Sequence, residues 1–257
     1  MALRILLLQA RDEDDPMREE EVLSFAEKSG LTPEQFDQYD LLGGPPGLAD
    51  VLERDAMMVG GSGDYYVSKG NLPAFDELLE VLAEVVAAGQ PTFASCFGFQ
   101  LLTVALGGEI VHDPETTEVG TYELRLTEAG ERDELLGALP ARFMAQLGRK
   151  DRAARLPPEV HNLATSERCP YQAFRIPGQP VWATQFHPEL DARTNKDRFM
   201  RYLDGYSMHM TPEEKRAALS RYYESPEASR LLPAFLRRVF GERHAAAVVA
   251  IPRGNTS

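Results

Sequence analysis

Short, wholly apolar runs alternate with longer segments of helical periodicity through the N-terminal half, and this alternation most constrains what the chain folds into. "RILLLQA" precedes "MREEEVLSFAEKSG", in which Val22, Leu23, Phe25 and Ala26 fall on one side of a charged helix ending at Gly30. "AMMV" leads into the glycine-rich "GGSGDYYVSKGNLP" and then the helical "AFDELLEVLAEVVAAG", while "PTFAS" precedes "FQLLTVALGG", which stops at paired glycines. Strands that are apolar throughout are buried on both faces, so the rhythm predicts an α/β fold with a central, mostly parallel sheet flanked by helices. The middle differs: "EVGTYELRLTEAG" reads as antiparallel strand and turn, and "QPVWATQFHPE" as a late strand. From about residue 205 the pattern turns helical, dividing the chain into a main domain, 1–204, and a helical C-terminal appendage, 205–257.

At 257 residues and 43% hydrophobic composition the chain can bury a substantial core. A net charge of −13 disfavours a surface that tracks nucleic-acid phosphates. The first apolar run is too short to span a bilayer and runs straight into acids, so neither a membrane anchor nor a leader is expected. Two cysteines, Cys96 and Cys169, could form one disulfide, but with no sign of export a reducing cytoplasm with at least one free thiol is expected.

Cys96 sits in "FASCFGFQ", where a strand gives way abruptly to a helix. A sharp strand-to-helix turn crowds the residues two before and two after its centre, and here these are Ala94 and Gly98. Such a turn exposes the central side chain at a sheet end. It also sets Cys96 at a helix N-terminus, which stabilises negative charge developing on sulfur. The Phe97 N–H would then face an oxyanion formed beside it. The other reading of this stretch is a buried structural cysteine.

A nucleophilic thiol needs a base with an orienting partner. Among His112, His161, His187, His209 and His244, His187 is the one placed where strand geometry supplies an orienting group: in "TQFHPEL" residues two apart project to one side, so that Glu189 can approach the far side of its ring. The same tripeptide also reads as a polar strand end. Gly60 and Gly61, ending another strand, can present unobstructed N–H groups to an anion, with Gly61 as a second oxyanion donor. No P-loop, CxxC or HExxH pattern is present, and no metal site is expected.

Taken together, "GGSGDY", "CFGFQLLTVALGGEIV" and "QFHPE", in this order, resemble the class I glutamine amidotransferase family, which includes the amidotransferase domain of GMP synthase. "LTEAG" and "LPPEVHNLATSERCPYQAF" are similar to its free-standing members, and the resemblance spans residues 3 to 203. It implies a flavodoxin-like sheet, Cys96 as nucleophile, His187 as general base and acid, Glu189 as its orienter, and Gly61 and Phe97 as the oxyanion hole. Gly60 and Gln100 would hold the glutamyl end, and no cofactor is implied. The reaction would be hydrolysis of glutamine or a γ-glutamyl compound through a cysteine thioester.

Two positions depart from the family pattern: Phe99 and Arg149 stand where many relatives carry histidine, which bears on the substrate accepted. The roughly 50 residues beyond the resemblance are too few for a synthetase domain. The alternatives are therefore a free-standing hydrolase and a silent or partner-dependent subunit that supplies ammonia to a synthetase in trans. An α/β-hydrolase reading conflicts with the order of the acid, which in that fold precedes the histidine.

Overall fold

All six residues of β1 (Ile5–Ala10) are buried because β1 lies inside a sheet covered on both faces. The computed structural model describes residues 2–202 and 211–241. In it β1 pairs in parallel with β2 (Phe36–Asp40) on one side and β3 (Ala56–Ser62) on the other. β3 pairs with β4 (Thr92–Ser95) and β4 with β11 (Val181–Thr184), both in parallel. Beyond β11 the sheet continues antiparallel through β10 (Ala173–Arg175), β9 (His161–Thr165), β6 (Glu118–Leu126) and β7 (Arg142–Arg149). The nine-stranded order is β2-β1-β3-β4-β11-β10-β9-β6-β7, and β5 (Glu109–His112) pairs separately with β8 (Asp151–Arg155). The expected α/β architecture is therefore present, with a parallel half that carries the strand ends of interest. β2 is the parallel strand that apolar runs did not reveal, because only its first residue is buried.

One face of the parallel half packs α1 (Met17–Ser29), the other α2 (Leu48–Leu52), α3 (Phe75–Ala87) and α4 (Phe97–Ala105). The short α5 (Glu128–Glu131) sits against β9, and α6 (Ala192–Arg201) against β6 and β7. In α1 the buried positions Glu21, Val22, Phe25, Ala26 and Ser29 follow one helical stripe, and Gly30 ends the helix at φ 70°. Leu23 was expected on the inner side, yet it is 51% exposed while Glu21 is fully buried. One residue's rotation of the stripe brings a carboxylate inside, and its partners are described below.

Helical segments are present after the sheet: α7 (Pro212–Leu219), α8 (Pro226–Ser229) and α9 (Leu231–Phe240). The boundary expected at 204/205 lies outside the described residues. α9 is no loose attachment, because Leu231, Leu232, Phe235 and Leu236 are buried in the same core as Phe25, Phe93 and Trp182. The Phe235 ring meets Phe93 and Trp182 edge-on, with centroids at 5.5 and 6.0 Å. Its strong amphipathy in sequence is thus spent on the sheet beside α1. Among the described residues no helix is long and apolar enough to cross a membrane. Phe235→Ala should lower stability by about 3–5 kcal/mol, the usual range for emptying a fully buried aromatic site, measured by urea unfolding.

Candidate active site

The backbone of Cys96 has φ 48° and ψ −96°, and among described residues only Ala74 is another non-glycine with positive φ. This conformation is unfavourable for an L-residue and persists only where the surroundings enforce it. The Cys96 N–H donates to the Thr184 carbonyl at 2.7 Å, and the Cys96 carbonyl accepts from Gln100 at 3.1 Å, pinning the turn between β4 and α4. A Cβ at Gly98 would stand 2.7 Å from Val59 Cβ and 3.0 Å from Ala94 Cβ, which is why the position tolerates no side chain. Phe97 opens α4, so its N–H has no acceptor within the helix. The elbow does not leave Cys96 exposed as expected: the residue is buried, 8% exposed, because it sits at the floor of a cleft lined also by Gly61, Gln100, Gly148, His187 and Arg198.

His187 and Glu189 are brought to Cys96 by the segment after β11, whose strand lies beside β4. Both are buried, and His187 Nδ1 lies 2.6 Å from Glu189 Oε1. That leaves Nε2 as the ring nitrogen for Cys96, which lines the same cleft as His187. Burial works to lower the imidazole pKa, but charge on the Cys96 sulfur and the Glu189 carboxylate outweighs it and raises the value to about 9. His187, hydrogen-bonded to Glu189, and Cys96 are thus brought to one cleft.

Gly61 is also at the cleft, but its N–H donates to Glu21 Oε1 at 3.0 Å. Glu21 also accepts from Gln9 Nε2 at 3.1 Å, from Arg11 Nε and Nη2 at 3.1 and 3.0 Å, and from Arg198 Nη2 at 3.3 Å. Burial would raise the Glu21 pKa, yet Arg11 and Arg198 depress it to about 2. Arg198 Nη1 lies 3.4 Å from His187 Nδ1 and 3.8 Å from Glu189 Oε1, so one guanidinium bridges two carboxylates. A Cβ at Gly60 would come within 2.6 Å of Glu21 Oε1, which accounts for the first glycine.

Gln100 Nε2 donates to the Asp151 carbonyl and to Gln185 Oε1, both at 3.2 Å, so what Gln100 offers the cleft is its amide oxygen. Gln185 Nε2 in turn lies 3.6 Å from Cys96 Sγ. Phe99, anticipated as part of the pocket lining, instead packs in the core against Phe174 with ring centroids 5.1 Å apart. On the third position of the helix it points away from the cleft. Arg149 does border the cleft, with its guanidinium buried on Glu118 at 2.5 and 3.0 Å. Cys169 is buried, its sulfur on the Tyr171 carbonyl at 3.4 Å, and burial raises its thiol pKa. His112 pairs with Asp151 at 2.8 Å, and His161 lies exposed on β9, while His209 and His244 lie outside the described residues. Among described residues no cluster of three or more His, Cys, Asp or Glu side chains is arranged to hold a metal.

Sequence reasoning passed over Glu21, Arg11, Arg198 and Gln185. Gln185 is the first residue of "QFHPE" itself, and an acid within an apolar helical stripe was the available signal for Glu21. Nothing local marks Arg11 or Arg198.

A cysteine at a strand-to-helix elbow, with a histidine and a glutamate carried in by the neighbouring parallel strand, is the arrangement of a cysteine-type amidotransferase fold. Residues 52–203 match the family described as Glutamine amidotransferase class-I, and the chain belongs to that family. A subunit of the glutamine-hydrolyzing GMP synthase of Methanothermobacter thermautotrophicus is 30% identical over 144 residues, 56% of this chain and 70% of that one. The GMP synthase of Aeropyrum pernix is 33% identical over 145 residues, but these make up only 26% of its length. Among solved structures, a glutamine amidotransferase from Thermotoga maritima superposes with TM-score 0.67 at 20% identity, covering 93% of this chain and 98% of that one. A glutamine amido transferase from Methylobacillus flagellatus gives TM-score 0.65 at 20% identity, covering 97% and 95%. These structural likenesses establish the shared fold.

Two outcomes are expected here. Gly98→Ala should destabilise the protein by about 1–3 kcal/mol through overpacking against Val59 and Ala94, read as a lower denaturant midpoint. Glu21 has a folded pKa of about 2 against an ordinary value of 4.5, so its ionic contribution is complete above pH 4.5 and is lost as pH falls through 2. The stability difference between wild type and Glu21→Gln should therefore shrink on acidification through that window, as measured by denaturant titrations at successive pH values.

Proposed function

We propose that this chain hydrolyses the γ-carbonyl amide of glutamine, or of a γ-glutamyl compound, through a thioester on Cys96. The observation that carries this reading is that Cys96, at its strained elbow, shares one cleft with His187 of the buried His187–Glu189 pair. Cys96 passes its thiol proton to His187 and its Sγ attacks the γ-carbonyl, the new S–C bond forming as the carbonyl π pair moves to oxygen, from which it returns when the leaving group departs. His187 then protonates the departing amine as the C–N bond breaks. Water, deprotonated by His187, attacks the thioester and releases glutamate and the thiol. Glu189 holds the imidazole orientation and stabilises the imidazolium. The Phe97 N–H stabilises the oxyanion, joined by the Gly61 N–H when it is free of Glu21. Gly60 and the Gln100 amide oxygen serve the glutamyl end. Amide hydrolysis transfers no electrons between reactants, so the route draws on these groups and water alone. A free catalytic thiol suits a reducing compartment, and we place the protein in the cytoplasm.

One observation favours a second reading, in which the chain delivers ammonia to a synthetase subunit in trans. The donor at Gly61 is engaged by Glu21, as suits a site that waits for its acceptor. The likeness to a chain named as one subunit of a GMP synthase supports the same view. Incubating the purified chain, without ATP, with L-glutamine and a panel of γ-glutamyl amides and peptides separates the readings. Turnover by the chain alone supports the free-standing hydrolase, whereas turnover only after adding a synthetase-like protein supports the ammonia-delivering role.

Cys96→Ala should reduce kcat by at least about 10³-fold with the fold intact, and His187→Ala should approach it. Glu189→Gln should be milder, because it weakens orientation without removing the proton carrier. Intact mass should show a glutamyl adduct on wild type and none on Cys96→Ala. Leaving-group protonation needs the imidazolium, so kcat/KM should decline on the alkaline side near pH 9. Glu189→Gln, lacking one of the charges that raise the His187 pKa, should move that limb to lower pH.

A further inference from the structure

Glu21 belongs to no recognised motif, yet it is the most heavily hydrogen-bonded carboxylate beside the cleft. It is fully buried on α1, and its oxygens accept from Gln9, Arg11, Arg198 and the Gly61 amide. The last contact matters for chemistry, because an N–H that donates to a carboxylate is not available to an oxyanion forming at Cys96. Resting on the thioester route proposed above, we infer that Glu21 is a positioning residue that latches the Gly60–Gly61 peptide. Oxyanion stabilisation by Gly61 then requires that peptide to leave Glu21.

The surroundings permit this movement. On losing the Gly61 amide, Glu21 keeps Gln9, both Arg11 donors and Arg198, so no buried charge is stranded. Both residues of the peptide are glycines, which rotate without a Cβ barrier. The clearance is also specific: a Cβ at Gly61 would lie 3.0 Å from Arg198 Nη1 and 3.3 Å from His187 Cε1. Arg198 links latch to triad, with Nη2 on Glu21 and Nη1 near His187 and Glu189. One guanidinium thus adjoins both the latch and the groups that move the proton.

The test uses the γ-aldehyde of glutamate, in which hydrogen replaces the amide nitrogen of glutamine. The Cys96 S–H adds across its carbonyl: the S–C bond forms, the π pair moves to oxygen, the thiol proton passes to His187, and no group leaves. Wild type and Glu21→Gln are compared for aldehyde affinity and for the KM of L-glutamine, and the ¹⁵N–¹H resonance of Gly61 is followed in the full chain. A neutral amide holds the Gly61 N–H less tightly than a carboxylate. Glu21→Gln should therefore bind the aldehyde about tenfold more tightly, equivalent to about 1.4 kcal/mol, with the glutamine KM changed less than about twofold. In wild type the Gly61 resonance should shift when the adduct forms. Equal or weaker aldehyde binding by a folded Glu21→Gln, or a Gly61 resonance unmoved by the adduct, overturns the latch while leaving the thioester route standing. Failure of both proteins to form the adduct overturns the route and the latch with it. Should Glu21→Gln not fold, the wild-type Gly61 resonance decides alone.

Discussion

The positive φ of Cys96 is the constraint around which the rest of the structure is arranged. A non-glycine residue at φ 48° is held there by neighbours on three elements. Thr184 on β11 accepts its N–H, Gln100 on α4 donates to its carbonyl, and Val59 on β3 fills the space in which a side chain at Gly98 would stand. All three depend on the parallel register β3-β4-β11, since adjacent parallel strands end side by side on one edge of the sheet. The same register places the segment after β11, with His187 and Glu189, over the elbow.

Charge inside this otherwise apolar region is compensated locally. Glu21 and Arg11 are both fully buried in their side chains, and Arg198 extends the pair toward Glu189. Removing one member of such a set leaves an uncompensated buried charge, so the set behaves as a unit. Tyr202 contributes from beyond α6: its hydroxyl bonds Arg11 at 2.5 Å and also contacts Asp15. Burial drives the Tyr202 phenol above its ordinary pKa, which keeps it a neutral hydrogen-bonding partner. The loop after β1, helix α1, the end of β3 and helix α6 are thereby joined by one ionic network directly behind the cleft.

Much of the parallel half was legible because apolar runs in doubly covered strands leave few alternatives, and Ile5–Ala10, Ala56–Ser62 and Thr92–Ser95 all answer to them. β2 escaped notice because an edge strand with one buried residue carries no such run. The meeting of Cys96, His187 and Glu189 was legible for a different reason: the elbow needs small residues at fixed offsets, and the two-residue step from His187 to Glu189 is short enough to read directly. Phe99 was misplaced because adjacent helix positions differ by about 100° in direction, and proximity to Cys96 in sequence does not specify the side. Leu23 and Glu21 exchanged roles by the same geometry.

By itself the sequence determined the α/β class, the elbow at Cys96, the pairing of His187 with Glu189 and the glycines that end β3, because each follows from local sterics or from a period within a few residues. Only the tertiary structure decided where the Gly61 N–H points, that Arg198 bridges Glu21 and Glu189, and that α9 closes the core over Phe93 and Trp182. These contacts join residues far apart in the chain. Burial makes each a matter of which opposite charge or apolar surface lies opposite in space, and nothing in the local order of residues encodes that.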